Sequence, residues 1–139
     1  EFHPIPNSER YVEVDTICLA VGLSPLTELL WQAGCKMGYV PELGGYTPLR
    51  NENYETTRPG VFIAGDLAGI EEASSAMIEG TIAGLSAAKS LGYQTDDLEE
   101  RLSRAKAELR TFRQGPTGRK VRQGMTKLIA LTEGVRAFD

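Results

Sequence analysis

"PGVFIAGDLAGIEEASSAMIEG", residues 59–80, carries a short apolar run straight into Gly65-Asp66 and then into a long stretch of small residues. The run at 61–64 is too short for a helix and suits a strand buried on both faces, as in a parallel sheet. In such sheets ligands lie beyond the carboxyl ends of the strands, which is where Gly65 and Asp66 would fall. Glycine there lets a bulky ligand approach the backbone. An aspartate there accepts hydrogen bonds from ligand hydroxyls, each charge-assisted bond contributing about 1.5–3 kcal/mol. The pair reads as a grip for a sugar or polyol, and a helix cap after a tight turn is the alternative.

Downstream, the pattern predicts the longest helix over about 70–91. Its first N–H groups would point toward the same place and bring partial positive charge with them. Ala76, Gly80, Gly84 and Ala88 recur at four-residue spacing and form a ridge of minimal size, read as an inner face. Each interior glycine costs about 1 kcal/mol against alanine, so the ridge is expected to admit another backbone or a flat ligand. Ile78, Ile82 and Leu85 make the adjoining apolar stripe. Thr95 is placed to cap a charged helix reaching about Arg113, with Asp96, Asp97, Glu99 and Glu100 at its positive end. After "RQGPTGRK" a last helix is expected near 121–131.

Upstream, 11–14 alternates weakly and 16–21 (TICLAV) is a second continuous apolar run, read as another buried strand. It ends at Gly22, and Pro25 opens a helix that Gly34 stops. Residues 36–59, rich in Gly, Pro, Asn and Thr, read as short extended pieces joined by turns.

An apolar content of 41% and a charged content of 24% are those of an ordinary globular chain. No run of 18 apolar residues occurs, so no membrane helix is expected. No basic leader precedes a short apolar region, and a cytoplasmic location is expected. Cys18 and Cys35 match neither a redox Cys-x-x-Cys nor a zinc spacing and read as two reduced thiols. The single histidine, His3, lies near an end, which leaves histidine catalysis or metal ligation nothing to build on, and no metal site is expected. Residues 1–94 hold five basic and twelve acidic side chains, a net −7, whereas 95–139 hold ten and seven, a net +3. Aromatic residues are not interleaved with the basic ones, so no nucleic-acid partner is expected.

"TTRPGVFIAGD", residues 56–66, resembles the second FAD motif of the pyridine nucleotide-disulfide oxidoreductase superfamily, the flavoproteins with two dinucleotide-binding domains. "AVGLSP", residues 20–25, is similar to that family's Ala-x-Gly-x-x-Pro crossing, where the chain leaves the NAD(P)-binding domain and returns to the FAD domain. The resemblance implies that Asp66 holds a ribityl hydroxyl of FAD, that Gly65 permits the approach, and that Gly22 lines the crossing near the cofactor. It also implies that backbone N–H groups around Glu72 and Ala73 face the flavin pyrimidine edge and stabilise the charge left there by reduction. No catalytic side chain is assigned.

Glu71-Glu72 departs from the thioredoxin reductase branch, which has Arg-Gln there, and from the disulfide reductases, which have His-Glu. The stretch 69–92 is more similar to FAD subunits of amine, opine and sarcosine-type oxidases. No Gly-x-Gly-x-x-Gly is present, so neither pyrophosphate has its usual cradle.

The fold class expected is therefore α/β, an incomplete Rossmann-like FAD/NAD(P)-binding fragment with a helical C-terminal extension. Residues 1–25 would end the NAD(P)-binding domain, 26–93 would form the C-terminal part of the FAD domain, and 94–139 would be the extension. Because it begins at Glu1 rather than Met, the chain is expected to be an excised piece, the C-terminal portion of an NAD(P)H-linked oxidoreductase, inactive alone. The expected partners are the missing N-terminal portion and a second copy across an exposed sheet edge. A non-catalytic interaction module that reuses the fold remnant is the other class.

Overall fold

A computed structural model describes residues 3–136, with side chains through Val135. Within it six elements follow one another: α1 (Glu28–Gln32), β1 (Met37–Val40), β2 (Gly45–Pro48), α2 (Ala73–Ser90), α3 (Leu98–Phe112) and α4 (Arg119–Arg136). Two 3₁₀ turns, Pro41–Leu43 and Gly65–Ala68, join them. The result is a mixed α/β arrangement whose one sheet, among the described residues, is the antiparallel hairpin β1–β2, with Met37 opposite Pro48 and Val40 opposite Gly45.

The four helices fall where the sequence places them, with corrected ends. α2 starts at Ala73 rather than near 70, because the backbone at Glu72 (φ −79°, ψ 152°) is still extended. Asp97, not Thr95, is the N-cap of α3, and the Thr95 hydroxyl turns instead to the Asp97 carboxylate at 2.7 Å. α4 outruns its predicted 121–131 span at both ends. Residues 137–139, the end of the expected extension, lie outside the described residues.

The expected strands are not formed. Residues 16–21 run without regular structure, and Ile17, Leu19 and Val21 are exposed, at 73%, 79% and 89% of their surface. A strand of a parallel sheet is buried only when neighbouring strands and covering helices flank it, and the described residues supply none for this run. The run at 61–64 forms one isolated bridge, Glu55 to Phe62, and only Ile63 in it is fully buried.

Two apolar clusters hold the helices. In the first, Leu102, Ala105 and Leu109 of α3 pack with Ile82 and Ala83 of α2 and with Tyr54, Ile63 and Ala68. In the second, Leu128 of α4 closes on Val40, Leu43 and Leu49. α4 comes very close at Gly124, where a Cβ would lie 2.7 Å from Leu43 Cγ. The small-residue ridge of α2 does not face inward as expected. Gly80 and Gly84 are exposed with nothing within 4 Å of a Cβ, and the buried face is Ser75, Glu79, Ile82, Ala83 and Ser86.

Among the described residues no helix is long and apolar enough to cross a membrane, and no group of His, Cys, Asp and Glu could hold a metal ion.

Candidate functional site

The Gly65-Asp66 pair opens the 3₁₀ turn Gly65–Ala68, and buried side chains grip that turn at both ends. Its first N–H, on Gly65, donates to Glu79 Oε2 at 2.8 Å. Its last carbonyl, on Ala68, accepts from Arg50 Nη2 at 3.3 Å. Gly65 has φ 66°, and a Cβ there would touch Ala76 of α2 at 3.4 Å, so the turn lies directly against the first turn of that helix. Gly69, at φ 137°, packs so close to Leu43 that a Cβ would sit 3.2 Å from its side chain.

Tyr54 couples the two grips. Its hydroxyl donates to Glu79 Oε1 at 2.8 Å, and the Arg50 guanidinium lies 4.1 Å from its ring centroid, a cation–π contact. Tyr54 holds a left-handed backbone, φ 64°, which a bulky residue adopts only when its surroundings impose it. Here Asn51 imposes it, its carbonyl accepting the Tyr54 N–H at 3.1 Å and its side-chain oxygen accepting those of Asn53 and Glu55.

Arg113, at the C-terminal end of α3, completes the cluster. Its Nη2 donates to Glu79 Oε1 at 2.5 Å and to Glu71 Oε1, and its Nε donates to Glu71 Oε2 at 3.0 Å. Two arginines thus face two glutamates around one tyrosine. Burial pushes the Glu79 carboxyl upward, against Arg50, Tyr54 and Arg113. Three donors converge on its two oxygens, an arrangement that favours the carboxylate and works against the effect of burial. Burial lowers the Arg50 pKa, with Tyr54 and Glu79 opposing. For Arg113 burial acts downward too, but the Glu71 hydrogen bond and charge outweigh it and raise its pKa.

Burial also pushes the Tyr54 hydroxyl up to about 12, with the Arg50 charge opposing. A tyrosine in the unfolded chain loses its proton near pH 10. The protonated form is favoured in the folded state, so its contribution is complete below pH 10 and is lost as pH rises from 10 to about 12. The expected loss across that window is about 2–3 kcal/mol, at about 1.4 kcal/mol for each pH unit that separates the folded and unfolded values. Denaturant unfolding from pH 8 to 12 checks it, since Tyr54→Phe should lack that part of the slope.

The residues singled out from sequence divide into two groups. Gly65 lies against the first turn of α2, at whose start Glu72 and Ala73 stand, and Asp66 follows it in the 3₁₀ turn; Asp66, Glu72 and Ala73 are exposed. Gly22 stands apart, at φ 134° with nothing within 4 Å of a Cβ. Glu72 is the N-cap of α2 and its side chain makes no capping bond, while the 3₁₀ turn is capped by Ala64. Asp66 occupies neither cap, which removes the cap reading of that aspartate. Two clefts of about 130 and 230 Å³ flank Arg113, the smaller beside Arg50 and Tyr54 and the larger beside Glu71, Glu72 and Ser75; Gly65 and Asp66 line neither.

Arg50, Tyr54, Glu79 and Arg113 escape the sequence reading. One signal was available for Glu79, a charged residue in phase with Ser75, Ile82 and Ser86 on what proves to be the buried face of α2.

Known proteins share this stretch of chain. The family model described as pyridine nucleotide-disulphide oxidoreductase matches residues 1–80, more than half of the chain, and the chain belongs to that family. It is similar to the opine oxidase A subunit of Rhizobium meliloti strain 1021, 33% identical over 96 residues, covering 69% of this chain and 21% of that protein. The same-named protein of Agrobacterium tumefaciens strain Ach5 is 32% identical over 85 residues, covering 61% of this chain and 17% of that protein. Hydrogen cyanide synthase subunit HcnB of Pseudomonas aeruginosa is 34% identical over 87 residues, covering 62% and 18%. The chain thus spans about a fifth of the length of these curated relatives. No solved structure matches.

Proposed function

We propose that this chain is a portion of a FAD-dependent, NAD(P)H-linked oxidoreductase and supplies its second FAD motif. The residues present suit the cofactor. Gly65 keeps the backbone bare at a left-handed position, Asp66 offers an exposed carboxylate beside it, and the 18-residue α2 begins seven positions further on without a side-chain cap. Asp66 accepts hydrogen bonds from ribityl hydroxyls. The first N–H groups of α2, near Glu72 and Ala73, have no partner within the helix and favour an electron-rich edge. FAD, when bound, supplies hydride acceptance and release, and the helix terminus is a preorganised dipole that favours the reduced form. Gly22 lines the crossing between the two nucleotide-binding domains in the same reading.

The observation that carries this reading is the placement of Asp66. It is an exposed carboxylate on a turn held at both ends by buried side chains, at no cap position. The open surface around it, outside both clefts, fits a site that other parts of the protein complete, so residues 1–139 alone should be inactive.

The visible absorption and flavin content of the full-length protein, purified without added cofactor, test this. A yellow protein with stoichiometric FAD is expected, and one still colourless after reconstitution would overturn the reading. The names of the relatives make an opine donor the first substrate class to try.

A further inference from the structure

We propose that α3 is a positioning element for the flavin-holding turn, and that Arg113 and Glu79 act together as a clasp setting Gly65-Asp66 against the N-terminus of α2. The proposal rests on the FAD reading for its functional meaning and on hydrogen-bond geometry for its mechanism. Arg113 lies beyond the stretch matched by the family model, in the helical extension, yet it reaches back to both sides of the α2 start. Glu71 immediately precedes the N-cap residue Glu72, and Glu79 sits two turns inside the helix. One guanidinium therefore bridges the start of α2 to the carboxylate that holds the Gly65 N–H.

The chain of contacts is short and buried. The side chains of Arg113, Glu71 and Glu79 are 11%, 9% and 2% exposed, so solvent competes little for their bonds. Three donors, one of them cationic, offset the burial of the Glu79 carboxylate. If Arg113 is removed, Glu79 keeps Tyr54 and the Gly65 N–H but loses its only cationic hydrogen-bond partner among the described residues. Without that cation on Oε1 the carboxylate is no longer anchored from the α3 side, and its hold on the Gly65 N–H through Oε2 should loosen. Arg122 of α4 donates to the Arg113 carbonyl, which ties the extension's two helices into the same arrangement.

The test uses the full-length protein with Arg113→Met, Arg113→Lys, Asp66→Ala and, as a control, Arg104→Ala at an exposed position of α3. Two readouts are needed: amide hydrogen exchange of the flavin-free protein over 61–69 and 98–109, and FAD affinity by fluorescence titration. For Arg113→Met, exchange over 61–69 should rise at least about tenfold while 98–109 stays protected, and FAD should bind about tenfold more weakly. Arg113→Lys, which keeps charge but cannot fork to both glutamates, should fall between. Arg104→Ala should match the wild type.

Unchanged exchange over 61–69 in both Arg113 variants would overturn the clasp, as would loss of protection over 98–109 to the same extent in both. If Arg113→Met does not fold, Arg113→Lys decides by the same criteria. Raised exchange over 61–69 with unchanged FAD affinity in Arg113→Met and Asp66→Ala alike would sink the flavin reading and leave the clasp as a feature of the fold. Weaker FAD binding in Asp66→Ala alone, with normal exchange in Arg113→Met, would do the reverse.

Discussion

Glu79→Ala should destabilise the protein by about 3–5 kcal/mol, the loss that follows when one partner of a buried ion pair is removed and the other stays behind. The carboxylate of Glu79 receives Arg113, the Tyr54 hydroxyl and the Gly65 N–H, and alanine can accept none of these. Arg113 retains Glu71, but Arg50, 2% exposed and without a carboxylate within ion-pair distance among the described residues, loses one of the two glutamates that offset its charge. Glu79→Gln keeps an oxygen acceptor and the packing while discarding the charge, so its cost should be smaller, about 1–3 kcal/mol. Denaturant unfolding of the three proteins at neutral pH measures the difference. A cost for Glu79→Ala below about 1 kcal/mol would mean that water reaches the three donors and that the cluster is not closed.

That cluster also marks the limit of what the linear sequence discloses. Helix positions follow from local spacing, and Leu98, Leu102, Ala105 and Leu109 recur at the interval that defines the buried face of α3. The turn at Gly65-Asp66 is legible because a short apolar run, a glycine and an acid in series are a local pattern. Glu79 meets Tyr54 across 25 positions and Arg113 across 34, and no periodicity connects residues so far apart.

The face that α2 buries escapes local pattern for a related reason. Small side chains suggest a close approach, but Gly80 and Gly84 border open space, whereas Ser75, Glu79 and Ser86 turn inward, the first two with their polar groups satisfied locally or by the cluster. Ser75 donates to the Glu72 carbonyl at 2.7 Å, and Glu79 accepts from three sides. The apolar run 16–21 shows the same limit from the other direction. Its composition suits a buried strand, but pairing is a property of neighbours, and the hairpin β1–β2 does not extend to it.

Asp66→Ala in the full-length protein should weaken FAD binding by about 10- to 150-fold, the range set by losing one charge-assisted hydrogen bond of about 1.5–3 kcal/mol. The fold should barely notice. Asp66 is exposed and occupies no cap position, and substitutions at such sites usually change stability by less than about 0.5 kcal/mol. Asp66→Asn should lie between, because the amide oxygen can still accept from a hydroxyl but carries no charge. This split between affinity and stability separates the two roles proposed for Asp66, ligand grip and helix cap. A capping aspartate would cost about 1 kcal/mol of stability on replacement and leave flavin affinity alone. Titrating the flavin-free protein with FAD and unfolding it in denaturant, both on the same three variants, reads the two quantities independently. Unaltered FAD affinity in Asp66→Ala would remove the carboxylate from the flavin site, whatever the stability data showed.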